Sequence, residues 1–186
     1  MKKGNVAITI PNIIELIEES LETLFTWQAD EPASQEFGGY VSQETGLDEP
    51  GSAVMLVSGG LLCYWAAQQK GLGTKFTPAF LLQRTTMAID YMLRSQHENG
   101  LIDLRSCNYD SSPDSAFAVQ RLASVVELVN DLTGRDEAFK ALVDKVKLFI
   151  RKSAEGVLTG GFHTPNHRWV TVGALVQAAA LFPDLQ

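Results

Sequence analysis

Cysteine is scarce: Cys63 and Cys107 are the only two in 186 residues, and neither sits in a C-x-x-C pair. That argues against a disulfide framework, and free thiols in a reducing compartment are the expectation. No stretch of eighteen or more apolar residues runs without polar interruption, so no membrane partner is expected. The opening "MKKGNVAITIPNIIELIEE" holds two lysines but no apolar run of the signal-peptide kind. The expected location is the cytoplasm, or outside the cell if the chain is part of a longer exported protein. G-x-S-x-G, P-loop and G-x-G-x-x-G patterns are all missing, which removes the usual sequence support for those chemistries. No stretch forms a basic stripe, so a nucleic-acid partner is not expected.

Hydrophobic residues make up 45% of the chain, enough for one domain over 1–186 with a real core. The net charge of −7 is unevenly placed. Residues 1–50 hold two lysines against ten acids, while 51–186 hold thirteen bases against twelve acids. The acidity therefore belongs to one solvated helix and one loop.

Helical periodicity recurs along the chain. In 12–27, Ile13, Ile14, Ile17, Leu21, Leu24 and Phe25 form one stripe, with Glu15, Glu18, Glu19 and Glu22 opposite. Asn12 with Glu15 fits a capping box. Segment 136–152 turns Phe139, Leu142, Val143, Val146, Phe149 and Ile150 inward, and 76–96 offers Phe80, Leu81, Ile89 and Met92 as core. Segments 52–69, 113–132 and 166–182 are apolar or small-residue-rich around most of their circumference, as helices surrounded by protein are. The order is outer, inner, outer, inner, outer, inner. Short links ("KGLGTK", "TGRDE") alternate with long ones that begin with glycine, and Gly39, Gly100 and Gly161 are spaced by 61 residues. The spacing predicts an all-α fold of three antiparallel helical hairpins, about 11–69, 75–132 and 136–182, forming a partial α/α toroid. All long loops then lie at one end, where the inner helices begin and their positive dipole ends converge. Such a surface suits an anionic ligand.

The third long loop, "GGFHTPNHRWV", carries the densest chemistry. Thr164 can cap, Pro165 suits the first helical position, and Asn166 and His167 fall in the first turn. A helix N-terminus favours neutral imidazole, so His167 can act as a base. Asn166 can donate to an oxyanion, Arg168 can grip a carboxylate, and Trp169 offers a flat face to a sugar ring. Each also has a plainer role: His167 and Asn166 as capping groups, Trp169 as core. His163 and His167 have metal-ligand spacing, but Pro165 breaks the shared helical face and no third ligand stands out, so no metal or cofactor is expected. The second loop adds Asp103, Arg105, Asn108, Tyr109 and Asp110, and the first adds Tyr40 and Gln43. Tyr109 is a candidate acid or base, and Arg105 a candidate carboxylate contact. Tyr109 and Tyr40 can instead be packing residues.

"GGFHTPNHRWV", followed by a small-residue helix and "LFPD", resembles the α/α-toroid domain of heparinase II/III-like and alginate-lyase-like polysaccharide lyases. The resemblance implies β-elimination on uronate-containing glycans. Asn166 would help neutralise the uronate carboxylate and His167 would move the proton at the sugar ring. It also implies a tyrosine some tens of residues further on, and the nineteen residues after His167 contain none. That leaves Tyr109 as the candidate acid, with Arg105, Arg168, His163, Trp169 and Tyr40 as substrate contacts. The expected partner is an anionic oligo- or polysaccharide. Two alternatives stay open: a non-catalytic scaffold or glycan-binding module, and an α/α-toroid glycoside hydrolase using Asp103, Asp110 or Asp114. A half-built toroid leaves an apolar flank on 166–182, so a homodimer or contact with a further domain is also expected.

Overall fold

The computed structural model describes residues 8–161 and 164–185. The fold is all-α, with six main helices: α1 (Ile10–Trp27), α2 (Pro50–Gln68), α3 (Pro78–Arg94), α4 (Ser112–Val129), α5 (Glu137–Thr159) and α6 (Pro165–Leu181). A small antiparallel hairpin, β1 (Ile102–Leu104) and β2 (Asn108–Ser111), sits in the α3–α4 loop. Every helix but α5 has a proline in its opening turn, where no intrahelical N–H bond is lost. Helix α1 starts earlier than its stripe implied. Its cap is Thr9, whose hydroxyl accepts the Asn12 N–H, so the expected Asn12–Glu15 capping box is displaced. Helix α5 runs two turns further than expected, to Thr159.

Long-range side-chain contacts fix the directions. Arg121 of α4 touches the Met55 sulfur of α2, Gln120 of α4 donates to the Val170 carbonyl of α6 at 3.1 Å, and Gln177 of α6 donates to Ser124 of α4 at 3.1 Å. Helices α2, α4 and α6 are therefore parallel and form the inner layer. Arg84 of α3 donates to the Phe25 carbonyl of α1 at 2.5 Å, and Lys145 of α5 meets Asp90 of α3 at 2.7 Å. Helices α1, α3 and α5 form a parallel outer layer running the other way. The result is an arc of three antiparallel hairpins.

Helix α2 is long and apolar enough to cross a membrane by length and composition. Its apolar circumference is instead covered by α1, α3 and α4, and Ala53, Leu56, Val57, Leu61 and Cys63 are fully buried. Adjacent Gly59 and Gly60 admit the two outer neighbours: a Cβ at Gly59 would meet Leu21, and one at Gly60 would meet the Thr85 hydroxyl. Burial pushes the Cys63 thiol up to about 12, helped by the nearby Glu18 carboxylate, so it behaves as an inert core group. Glu18 was placed on the outer face of α1 by its polarity. It is buried, because its carboxylate accepts the Lys75 N–H at 2.7 Å. Phe80, expected in the core, lies partly exposed and edge-on to Phe25 at 5.3 Å.

One device joins successive outer helices, and it occurs twice. After α1, the Gln28 amide donates to the Gly38 carbonyl and to the Arg84 carbonyl of α3, both at 2.9 Å. After α3, the Gln96 amide donates to the Gly100 carbonyl at 2.9 Å and to the Phe149 carbonyl of α5 at 3.1 Å. Both glycines have positive φ, 86° and 83°. A Cβ would lie 2.1 Å from the Met87 carbonyl oxygen at Gly38, and 2.0 Å from that of Lys152 at Gly100. The repeat thus matches Gly38, not Gly39, with Gly100. The Gly160–Gly161 pair does not repeat the device: Gly160 caps α5 with φ −78°, and a Cβ there would lie 2.4 Å from the Ser112 side chain.

Two measurements test this packing. Gly100→Ala should cost about 2–4 kcal/mol in denaturant unfolding, because strain and a backbone clash coincide. Gly46→Ala, with φ 68° but open surroundings, should cost about 1–2 kcal/mol; equal losses would show that the close approach is unimportant. The second concerns Asp136, the α5 cap, which accepts the Tyr64 hydroxyl at 2.5 Å and the Phe139 N–H at 3.0 Å. Those two donors hold its carboxyl below the usual range. A lowered carboxyl stabilises the fold above its unfolded value and loses that contribution as pH falls. Asp136→Ala should therefore cost about 1–2 kcal/mol at neutral pH, with the gap to wild type closing below about pH 3.

Candidate functional site

Because the inner helices are parallel, their N-termini and the long loops share one end of the arc. Two acidic residues at the start of α2 organise it. Asp48, 7% exposed, accepts the Tyr91 hydroxyl at 2.8 Å and pairs with the Arg105 guanidinium. Next to it, Glu49 accepts the Arg105 N–H at 2.7 Å and the Ser106 N–H at 3.0 Å. The first long loop thereby clamps the β1–β2 turn of the second. Burial and the Asp48 carboxylate push the Tyr91 hydroxyl well above the ordinary tyrosine range, so it stays a hydrogen-bond donor.

Within the hairpin, Asp103 accepts the Asp110 N–H at 2.8 Å and lies 2.9 Å from His97 Nε2. Asp110 takes a left-handed φ of 50° and accepts the Asn99 amide at 3.0 Å. Ser111 caps α4 and donates its hydroxyl to Asp114. Between the first turns of α2 and α4 lies a cavity of about 340 Å³. Glu49, Ser52, Asp103, Asp114, Phe117 and Arg121 are among the residues that line it.

On the third loop, Thr164 holds the N-cap position of α6 and Pro165 its first turn, so Asn166 and His167 follow in the same turn. The Thr164 hydroxyl makes no bond to the helix backbone; it reaches the Asn166 side-chain oxygen. His167 is half-buried, with its N–H on the Thr164 carbonyl at 3.1 Å. Asn166 and Arg168 are exposed, and Trp169 is 79% exposed. His163 lies outside the described residues.

These placements revise several sequence expectations. Arg105 is the anchor of the loop clamp, because Asp48 is buried and needs a cation. Tyr40 packs against Trp27 at 5.7 Å and pairs with the backbone of Gln28. Tyr109, on β2, is 70% exposed. Trp169 is neither core nor beside the cavity: it shares the outward stripe of α6 with Val172 and Val176. His97, Glu49, Phe117 and Arg121 were not singled out. Only Arg121 left a signal, as the single base in the largely apolar α4.

What the fold and this end define is a helical-hairpin array with a loop-built cavity. No protein-family model matches the chain, and neither does any curated protein or solved structure.

The clamp makes a prediction. Arg105→Gln strands the Asp48 carboxylate and should lower stability by about 2–4 kcal/mol in urea titration. Arg121→Gln, at an exposed guanidinium, should change it by less than about 0.5 kcal/mol. The reverse order would remove Arg105 from its structural role.

Proposed function

We propose that the long-loop end binds an anionic, uronate-containing oligosaccharide, and that Asn166 and His167 carry out β-elimination on it. The observation that carries the proposal is the position of this pair in the first turn of α6, an inner helix parallel to α4. There the helix dipole, the Asn166 NH2 and the Arg168 guanidinium offer positive charge to a carboxylate. Proton loss from the carbon beside that carboxylate places negative charge on its oxygens, which these groups stabilise. His167 takes the proton. The carbon–oxygen bond to the leaving sugar then breaks as the double bond forms. Tyr109 is the candidate donor to the departing glycosidic oxygen. Protons and electrons balance without a metal or redox cofactor.

A second reading rests on the cavity itself. Asp103 and Asp114 both line it, and a carboxyl pair is what glycoside hydrolysis needs. One assay separates the two: incubation with uronate polysaccharides, following the ultraviolet absorbance of an unsaturated product and, in parallel, new reducing ends. Elimination gives both signals, and His167→Ala should slow it at least about 100-fold. Reducing ends without absorbance, abolished by Asp114→Asn, would establish hydrolysis instead. Glycan binding with neither signal would leave a recognition module and remove the catalytic role of His167.

A further inference from the structure

Helix α4 is the middle inner helix, packed against α5, α2 and α6. One stripe of it still faces solvent: Phe117, Arg121, Ser124 and Leu128, which share a helix face by their spacing. Arg121 touches Met55 of α2, and Ser124 meets Gln177 of α6 at 3.1 Å. The stripe is therefore the floor of a furrow with α2 and α6 as its walls. On the α6 side the furrow widens into a hollow of about 450 Å³, lined by Phe117, Gln120, Arg121, Ser124, Val125 and Gln177. Phe117 and Arg121 also line the cavity between α2 and α4, so these two side chains stand where the two spaces join.

The α4–α6 seam is polar along this hollow. Gln120 donates across it to the Val170 carbonyl, and Ser124 donates to the Gln120 carbonyl at 3.0 Å while accepting from Gln177. Gly173 of α6 makes room for the first bond, since a Cβ there would lie 2.1 Å from Gln120 Nε2. Amides, a hydroxyl, an aromatic ring and a guanidinium around one hollow are groups that together suit a sugar.

Charge separates the two spaces. The α2–α4 cavity sets Glu49, Asp103 and Asp114 against Arg121. In the α4–α6 hollow Arg121 is the one charged residue, and the next acid along α4, Glu127, lines a separate hollow nearer the short-turn end. Among the described residues Arg121 pairs with no carboxylate; its contact is the Met55 sulfur. A thioether is a weak acceptor, so the guanidinium fork keeps its capacity for a bidentate carboxylate.

We propose that the α4–α6 hollow is a subsite for an acidic sugar, with Arg121 gripping its carboxylate and Phe117 packing against its ring. The three carboxylates of the α2–α4 cavity turn such a sugar away, so charge decides which of the two spaces it enters. Asn166 and His167 lie on the α6 wall of the hollow, one turn before Val170. This inference rests on the glycan reading above and adds the residues that read the sugar's charge.

Calorimetric titration of the full chain tests it. The probes are tetrasaccharides from alginate and from hyaluronan, each also with its carboxyls reduced to alcohols. Wild type should bind an acid form and lose about 5- to 10-fold on carboxyl reduction. Arg121→Gln should lose a similar factor with the acid form yet bind the reduced form as wild type does, which is the coupling that a direct contact produces. Phe117→Ala should weaken both forms by about 5-fold. Both positions are exposed, and thermal melts check that each variant stays folded. Equal affinity of wild type and Arg121→Gln for the acid form would overturn the subsite and leave the glycan reading standing. An Arg121→Gln loss of equal size for acid and reduced forms would also overturn it, because the residue would then shape the hollow without reading charge. Binding of no probe at about 1 mM would overturn the glycan reading and the subsite together.

Discussion

The architecture depends on two side-chain amides, Gln28 buried and Gln96 half-buried, that each tie a turn to the backbone of the next outer helix. Gln28 and Gln96 each stand just past the end of an outer helix and donate to two places at once: a turn glycine carbonyl and a carbonyl of the next outer helix. Each NH2 meets two carbonyls, while among the described residues the Oε1 of both glutamines is buried without a hydrogen-bond partner, a cost of about 1–3 kcal/mol when such a group is left unmet. The adjacent glycine must have no side chain, because the neighbouring helix backbone occupies its Cβ position. Amide and glycine together fix the distance, the direction and the offset of each hairpin from the last. The convergence of the inner-helix N-termini follows from that offset.

At the long-loop end, the clamp of Asp48, Glu49 and Arg105 supplies the second constraint. It binds a loop that begins after α1 to one that begins after α3. The loops are thus held by charge and backbone bonds while the hairpins are held by amides and packing. Rigid loops on a rigid scaffold are the condition for a preorganised cavity. The carboxylates that line it are in part already used: Glu49 by two backbone amides, Asp103 by His97 and the Asp110 N–H.

Much of the fold was legible in the sequence because helices write their burial at a fixed period. Leu21 and Phe25, or Phe139, Leu142 and Val146, read directly as inward stripes and are buried. Glu18 falls on the α1 stripe by position, but its polarity masked it, since its partner is the backbone of Lys75. The repeat was visible as spaced glycines, yet a Gly-Gly pair does not reveal which member takes positive φ; Gly38 does. The hairpin at 102–111 was missed because strands of three and four residues have too little alternation to read. In the candidate site, Arg105 looked like a ligand contact because its partner Asp48 is 57 residues away. His167 and Asn166, by contrast, were placed by the local rule that Thr-Pro opens a helix.

The central claim is that the glutamine amides, not apolar burial alone, lock the outer helices in register. The most direct measurement is side-chain hydrogen exchange of Gln28 and Gln96, followed by nuclear magnetic resonance. The account predicts that the NH2 protons of both exchange as slowly as core backbone amides, through global unfolding. Exchange as fast as that of a surface glutamine such as Gln68 would contradict it.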